Sequence, residues 1–338
     1  MNSAAERVLV IAEIGVNHNG SLEVAKKLVE QAANAGADYA KFQTFTARKV
    51  ASADASVAEY QKVKFSGDKQ IELLEKLELR HSEFRELADY CQVFGLGILT
   101  TAHDLQSAEF VLGLSSDFIK VPSGDVTNLP FLRLVGASGT PVLLSTGASQ
   151  QAEVEQAILA LDGAGLERAN LTVMQCTTEY PAPSNEANLR AMVSMGERWG
   201  VNIGYSDHTQ GYATTLAAVA LGARVIEKHL TLDRNMDGPD HAASLEPQEF
   251  LQMVSAIREV ESAFGSGRKI VSESEAPNRE HIRKSIVAIA PIAAGELMTE
   301  ENIGVMRPGD GVSPMLWDNV IGHAAPKSYS THDMVELP

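Results

Sequence analysis

The sequence predicts an α/β protein, a (β/α)8 TIM barrel followed by a small C-terminal domain. Three observations carry this. Short β-branched apolar runs alternate with helix-period segments over about the first 265 residues. Eight such units fit that length, as a barrel of parallel strands requires. The rhythm then stops near Gly265, and short strands and turns take over from Ser285. An open doubly wound sheet is the competing architecture. It usually carries G-x-G-x-x-G after its first strand, and GVNHNG (15–20) does not have that form.

The expected strands are RVLVIAEIG (7–15), YAKFQT (39–44), GLGILTT (95–101), FIKVPSG (118–124), PVLLSTG (141–147), LTVMQCT (171–177), VNIGYSD (201–207) and RVIEKHLT (224–231). Helix-like stretches separate them. SLEVAKKLVEQAANAG has Ser21 as N-cap, an apolar stripe of Leu22, Ala25, Leu28, Val29 and Ala32, and Gly36 as its stop. DLQSAEFVLGL, QQAEVEQAILALDGAG, EANLRAMVSMGERWG, YATTLAAVALG and PQEFLQMVSAIREVESAFG repeat that logic. The barrel is thus expected over 1–265 and a polar linker over 266–284. A second domain over 285–338, of about 55 residues, is marginal as an independent core and is expected to dock on its own barrel or a partner's.

Composition excludes several classes. The 338 residues hold 44% hydrophobic and 21% charged residues, ordinary for a globular protein. No run approaches the roughly 18–20 apolar residues of a membrane span. The N-terminal run is broken by Glu6, Arg7 and Glu13 and reads as a strand rather than a signal peptide. The net charge of −16 argues against nucleic acid as a partner. It leaves room for a small anion held by a few converging lysines. Two cysteines, Cys91 and Cys176, form no zinc or disulfide framework and suggest a reducing cytoplasm.

A barrel active site forms at the C-terminal ends of the strands. Polar residues collect there: Glu13; Lys41 and Gln43; Thr100 and Thr101; Lys120, Ser123 and Asp125; Ser145 and Thr146; Thr177, Thr178 and Tyr180; Ser206, Asp207 and His208; Glu227 and His229. His208 and His229, on adjacent strands, can converge on one divalent ion in an open site that suits Mn²⁺, Mg²⁺, Co²⁺ or Zn²⁺. Two hydrogen-bonded histidines without a metal are the plain alternative. His18, His103 and His241 have weaker claims. Lys41 and Lys120 are anion clamps or Schiff-base amines. Neighbouring hydroxyls favour the clamp, and a phosphate with a carboxylate would use such a set well. Glu13, Asp125 and Asp240 are the acid–base candidates. Asn17, His18 and Asn19 shape a turn, Tyr180 packs or contacts ligand, and Cys176 reads as a buried small hydrophobe.

IAEIGVNHNG, GADYAKFQT, FIKVPSGD, PVLLSTG, QCTTEYPAP, IGYSDHT, VIEKHLTLD, GPDHAASLEP and VMRPGDG run in order from residue 11 to 311. Through them the chain resembles the sialic acid synthase family, whose members condense phosphoenolpyruvate with an N-acetylated amino sugar and water, with C–O cleavage. The tail resembles that family's antifreeze-like (SAF) domain. The resemblance implies His208 and His229 as ligands of a divalent metal, Mn²⁺ foremost and Mg²⁺ or Co²⁺ next. It implies Lys41, Thr101, Lys120, Ser123, Ser145 and Ser206 around phosphoenolpyruvate. Glu13 and Asp125 would be catalytic, with Gln43, Tyr180, Asp240 and Arg307 beside the sugar. Arg307 would reach the other subunit's barrel in a domain-swapped homodimer. N-acetylmannosamine, giving N-acetylneuraminate, is the first expectation, and a 6-deoxy diacetamido hexose, giving N,N'-diacetyllegionaminate, is the alternative. The stretch AEYQK and the loop LDRNMDGPDHAASLEP look like both subgroups. Departures from some members are Thr101–Ala102–His103 for Thr-Pro-Phe, Asp125 for Glu, and Thr178 for Asn. The rival readings are a Schiff-base lyase using Lys41 or Lys120 and a non-catalytic carbohydrate-binding protein.

Overall fold

The computed structural model describes residues 7–52, 69–114 and 116–338. Glu6 and the AEYQK stretch lie outside the described residues. The chain divides into two compact units, one up to Gly265 and one from Ser266.

In the first unit, the elements run β1 (Leu9–Gly15), α1 (Leu22–Asn34), β2 (Tyr39–Thr44), α2 (Ala47–Val50), α3 (Gln70–Leu77), α4 (His81–Val93), β3 (Gly97–Ala102) and α5 (Leu105–Leu112). They continue with β4 (Ile119–Val121), α6 (Leu129–Ala137), β5 (Val142–Ser145), α7 (Gln151–Ala164), β6 (Leu171–Cys176), α8 (Leu189–Trp199), β7 (Asn202–Asp207), α9 (Ala213–Ala220), β8 (Val225–His229) and α10 (Pro247–Ala263). The described residues place the eight strands in a closed parallel barrel, with β8 paired back onto β1. The expected strands all form, trimmed by a residue or more at most ends. Pro122 follows β4 directly and helps make it the shortest.

Period-two alternation sorts these strands into layers. Ile11, Leu99, Leu143, Met174 and Val225 form one apolar cluster. Two residues further along the same strands stand Glu13, Thr101, Ser145, Cys176 and Glu227, on the same inward face. The intervening residues, such as Val10, Ala12, Val142, Leu144 and Val173, pack outward among the helices. The barrel thus has an apolar floor below a polar layer.

α1 begins as expected, with the Ser21 hydroxyl accepting from the Val24 N–H, and buries Ala25, Leu28, Val29 and Ala32. Helices α2, α3, α4 and α6 are additions to the expected set. α4 buries Phe84, Leu87 and Cys91, a stripe spread thinly among charged neighbours. α6 starts with Pro130 near its N-terminus and buries Phe131, Leu132, Val135 and Gly136. No helix of the described residues is long and apolar enough to cross a membrane.

The second unit contains α11 (Ala276–Ile282), β9 (Ser285–Ala288) and β10 (Ile303–Met306), the strands being antiparallel. The helix falls within the segment expected as a linker. Ile286, Ala288, Ile292, Met298, Ile303, Val320, Ala325, Tyr329 and Val335 make a small core of its own. Arg307 is exposed in the loop after β10. The Ser285 hydroxyl holds that loop by donating to the Pro308 carbonyl at 2.8 Å and accepting from the Gly311 N–H at 2.8 Å.

Candidate active site

A cavity of about 280 Å³ opens above the polar layer of the barrel. Glu13, Lys41, Gln43, Thr101, Lys120, Ser123, Ser145, Ser206, His208, Glu227, His229, Tyr180 and Asp240 all contribute to its wall. Each β-strand except β6 delivers at least one charged, amide or hydroxyl group, and β6 delivers Cys176.

Charge is concentrated at the bottom. Lys41 Nζ lies 2.7 Å from Glu13 Oε2 and 3.5 Å from Glu227 Oε1. It also donates to the Thr101 hydroxyl at 3.0 Å. Lys120 Nζ lies 3.7 Å from that same Glu227 oxygen and donates to the Ser145 hydroxyl at 2.6 Å. The Ser206 hydroxyl donates to Glu227 Oε1 at 3.1 Å. Glu227 therefore bridges the two ammonium groups. Its other oxygen, Oε2, is buried without a hydrogen-bond partner. Sequence reasoning placed Glu227 on this face but left it out of the functional set. Its spacing of two residues from His229 was the available signal.

Burial acts on each of these groups, and neighbours decide the net direction. Burial raises Glu13 to about 7; Lys41 opposes the rise and Glu227 adds to it. For Lys41, burial is outweighed by Glu13 and Glu227, and its pKa stands above the ordinary lysine value. Burial wins at Lys120, reinforced by the Lys41 charge, and its pKa falls. At Glu227, burial is outweighed by Lys120 and Lys41, which keep it ionised. Asp240 is raised by burial to about 6.

The two histidines sit on the same wall, with ring centroids 5.4 Å apart. The Tyr180 ring lies 4.1 Å from the His208 ring and 5.7 Å from the His229 ring. His208 Nδ1 donates to the Thr177 carbonyl at 2.6 Å, which leaves Nε2 with its lone pair. Burial lowers His208 to about 4. Burial, then the His208 and Lys41 charges, hold His229 well below its usual value. Both rings are therefore neutral near pH 7, the form that binds a metal. His229 Nδ1 is buried without a hydrogen-bond partner, 3.9 Å from Asp240 Oδ2. Two neutral imidazoles on one cavity wall fit a divalent cation. The described residues hold no cluster of three His, Cys, Asp or Glu placed to enclose one. Such a site would keep positions open for substrate and water.

Two glycines are required by the close packing here. Gly15, at φ +53°, ends β1; a Cβ there would stand 3.0 Å from Glu13 Oε1 and 3.2 Å from Gln43 Nε2. A Cβ on Gly147 would fall 2.5 Å from the Thr178 hydroxyl and 2.9 Å from both Cys176 Sγ and Ser123 Oγ. Gly147 N–H instead donates to the Ser123 hydroxyl at 2.9 Å.

The family model for the NeuB family matches residues 28–269, and that for the SAF domain matches 283–335. The chain belongs to the NeuB family. This NeuB-family chain is 44% identical over 331 residues to the N,N'-diacetyllegionaminic acid synthase of Campylobacter jejuni, covering 98% of this chain and 99% of that one. It is 36% identical to the human N-acetylneuraminate-9-phosphate synthase, covering 88% of this chain and 82% of that one. A solved N-acetylneuraminic acid synthetase from Leptospira borgpetersenii superposes with a TM-score of 0.71 at 29% identity, over 80% of this chain and 90% of that one. The chain is accordingly an enzyme, a transferase of the nonulosonic acid synthase class.

Within this NeuB-family barrel, most of the expected site residues converge. Asp125 is the exception. It sits in a short 3-10 turn, half-buried and off the cavity wall, and accepts from the Asn128 amide at 2.8 Å. The turn after Pro122 points Ser123 inward and carries Asp125 past the rim. Arg307 belongs to the second unit. Among the weaker candidates, His103 lines the cavity with Nε2 buried and unpartnered, whereas His18 and His241 lie off its wall. His18 Nδ1 accepts from the Gly20 N–H at 3.0 Å, a turn-shaping role.

Proposed function

We propose that this enzyme condenses phosphoenolpyruvate with the open-chain form of an N-acetylated amino sugar and with water, giving a nonulosonic acid and inorganic phosphate. The single observation that supports this most is the pair of buried lysines bridged by Glu227, facing one cavity with two neutral histidines. Lys41 and Lys120, with Thr101, Ser123, Ser145 and Ser206, offer two positive charges and four hydroxyls to a phosphate and a carboxylate. A bound anion would draw the ammonium groups and the Ser206 hydroxyl from Glu227.

His208 and His229 would hold the divalent cation, Mn²⁺ foremost, and it would supply Lewis acidity toward the sugar aldehyde oxygen. Tyr180, Gln43 and Asp240 line the cavity and would orient the sugar. C3 of phosphoenolpyruvate attacks the aldehyde carbon, and water adds at C2. Glu13, at about 7, is poised to take the proton from that water near neutral pH. Asp240, at about 6, supplies a proton toward the new hydroxyl. Collapse of the C2 adduct breaks the C–O bond and releases phosphate. Glu13 carries this role better than Asp125, because only Glu13 faces the cavity.

Among acceptors, the 44% identity to a diacetyllegionaminic acid synthase favours a 6-deoxy diacetamido hexose. N-acetylmannosamine is the second reading, supported by the 36% identity to the human N-acetylneuraminate-9-phosphate synthase. Phosphate release measured with phosphoenolpyruvate, Mn²⁺ and both sugars tests the function. Turnover with either supports it. Consumption of neither, or ¹⁸O from solvent water in the released phosphate, overturns it. We also propose, on the family resemblance, a homodimer in which Arg307 serves the partner's barrel, in a cytoplasmic setting. Mixing Arg307→Ala with a barrel-inactive variant restores activity if the arginine works in trans; no rescue after confirmed subunit exchange refutes it.

A further inference from the structure

The strand ends that carry the two histidines carry a second ionic pair on their opposite face. Alternation turns Ser206 and His208, with Glu227 and His229, toward the cavity, and turns Asp207 and Lys228 away from it. Asp207 and Lys228 are register partners across β7 and β8, with Lys228 Nζ 3.1 Å from Asp207 Oδ2 and both side chains fully buried.

Neither group is short of partners. Asp207 accepts from Tyr205 OH at 3.3 Å, from Thr209 N–H and hydroxyl at 2.8 Å each, from Thr214 at 3.0 Å and from Thr215 at 2.6 Å. Three of these donor residues follow His208 in the chain, so the turn after the histidine is folded back onto the carboxylate. Lys228 Nζ also donates to the Thr209 carbonyl at 2.5 Å. One ammonium therefore grips the chain just before and just after His208. It does so from the residue between Glu227 and His229. Buried ion pairs are weak devices for stability, since apolar pairs of similar volume often do as well. What this one supplies is a defined register between two adjacent strand ends.

We propose that Asp207 and Lys228 are positioning residues that set the separation and direction of His208 and His229 for a shared divalent cation. The proposal rests on the reading that these two histidines hold the cation. The pair touches neither ion nor substrate and acts through the backbone on both sides of His208 and immediately before His229.

The test is Mn²⁺ titration of the full-length protein, with free Mn²⁺ followed by electron paramagnetic resonance and thermal melting run in parallel. Asp207→Asn and Lys228→Met are expected to weaken Mn²⁺ binding by about 10-fold or more, the range for outer partners of metal ligands. Lys228→Arg and Thr215→Val, milder changes that keep the fold within reach, are expected to weaken it by about 3-fold or more. Met253→Ala, a buried change in α10, which supplies none of the pair's hydrogen-bond partners, is expected to lower Tm and leave Mn²⁺ affinity unchanged. Folded Lys228→Arg and Thr215→Val proteins with wild-type Mn²⁺ affinity would overturn the positioning role. So would a Met253→Ala protein whose affinity falls as far as theirs. A wild-type protein that binds no divalent cation would instead overturn the metal reading beneath it.

Discussion

The two faces of β7 and β8 hold ionic clusters built to opposite rules. On the outer face, Asp207 has six donors and its cationic partner is also bonded to a carbonyl. On the inner face, Glu227 Oε2 and His229 Nδ1 are buried with no hydrogen-bond partner. A buried unsatisfied polar atom costs about 1–3 kcal/mol. On these two strands that cost falls on the face that lines the cavity. The difference separates polar residues that hold the barrel together from those left open to a ligand, although both kinds sit at neighbouring positions on the same strands.

Removing a charge from the inner cluster is the strongest way to break this contrast. Lys41→Met would strip Glu13 and Glu227 of their shared counter-ion. kcat/KM is expected to fall by about 10³-fold, the scale for losing a preorganised charge. Stability is expected to fall by about 3 kcal/mol, because uncompensated buried charge remains. Phosphate-release kinetics and thermal melting check the two effects separately. Unchanged kcat/KM would show that the cluster is structural, like its outer counterpart.

His208→Gln should come next. Expected losses are about 100-fold or more in Mn²⁺ affinity and in turnover. Binding of phosphoenolpyruvate without metal should change little, since Lys41 and Lys120 stand on β2 and β4. Isothermal titration of each ligand separates the two sides of the cavity. Equal loss of both would mean the histidine supports the whole pocket rather than one ligand.

Glu13 gives a pH signature. Its ordinary value is 4.5, and burial raises it to about 7 in the folded chain. Between those values the folded protein keeps a proton that the unfolded chain releases. Its contribution to stability is therefore fully present below about pH 4.5 and is lost as pH rises through about 7. Glu13→Gln should remove that dependence. The Tm of the variant relative to wild type should rise from about pH 5 to about pH 8, measured by calorimetry. The same variant should lose about 10²-fold or more in kcat. A Tm difference that stays flat with pH would place the Glu13 proton outside this account.

Most of the barrel could be read from the sequence because its strands are short, apolar and punctuated by glycine, as in PVLLSTG and FIKVPSG. The ring of helices was harder. α4 spreads Phe84, Leu87 and Cys91 among charged residues, and α6 is apolar over most of its surface, so neither shows a clean stripe. Strand-end position marked the site residues well, since alternation decides which of them face inward. It could not decide residues beyond the strand ends. Ser123 and Asp125 are two apart, yet a 3-10 turn, not an extended strand, joins them. Nor could it give Glu227 its role, because its partners Lys41 and Lys120 stand on β2 and β4.

Asp125 offers the smallest effect and the finest distinction. Extended backbone would have put its carboxylate on the same face as Ser123, inside the cavity. The turn instead directs it to Asn128, at the start of α6, where it accepts at 2.8 Å. Burial raises its pKa while the Asn128 bond opposes the rise. Asp125→Asn keeps the size of the side chain and a polar partner for Asn128. kcat should stay within about 5-fold of wild type, well short of the 10²-fold or greater loss expected of a removed acid or base. The pH profile should keep the limb assigned to Glu13. A loss of about 100-fold with that limb intact would instead bring Asp125 into the reacting set, through a movement of the 123–128 turn on substrate binding.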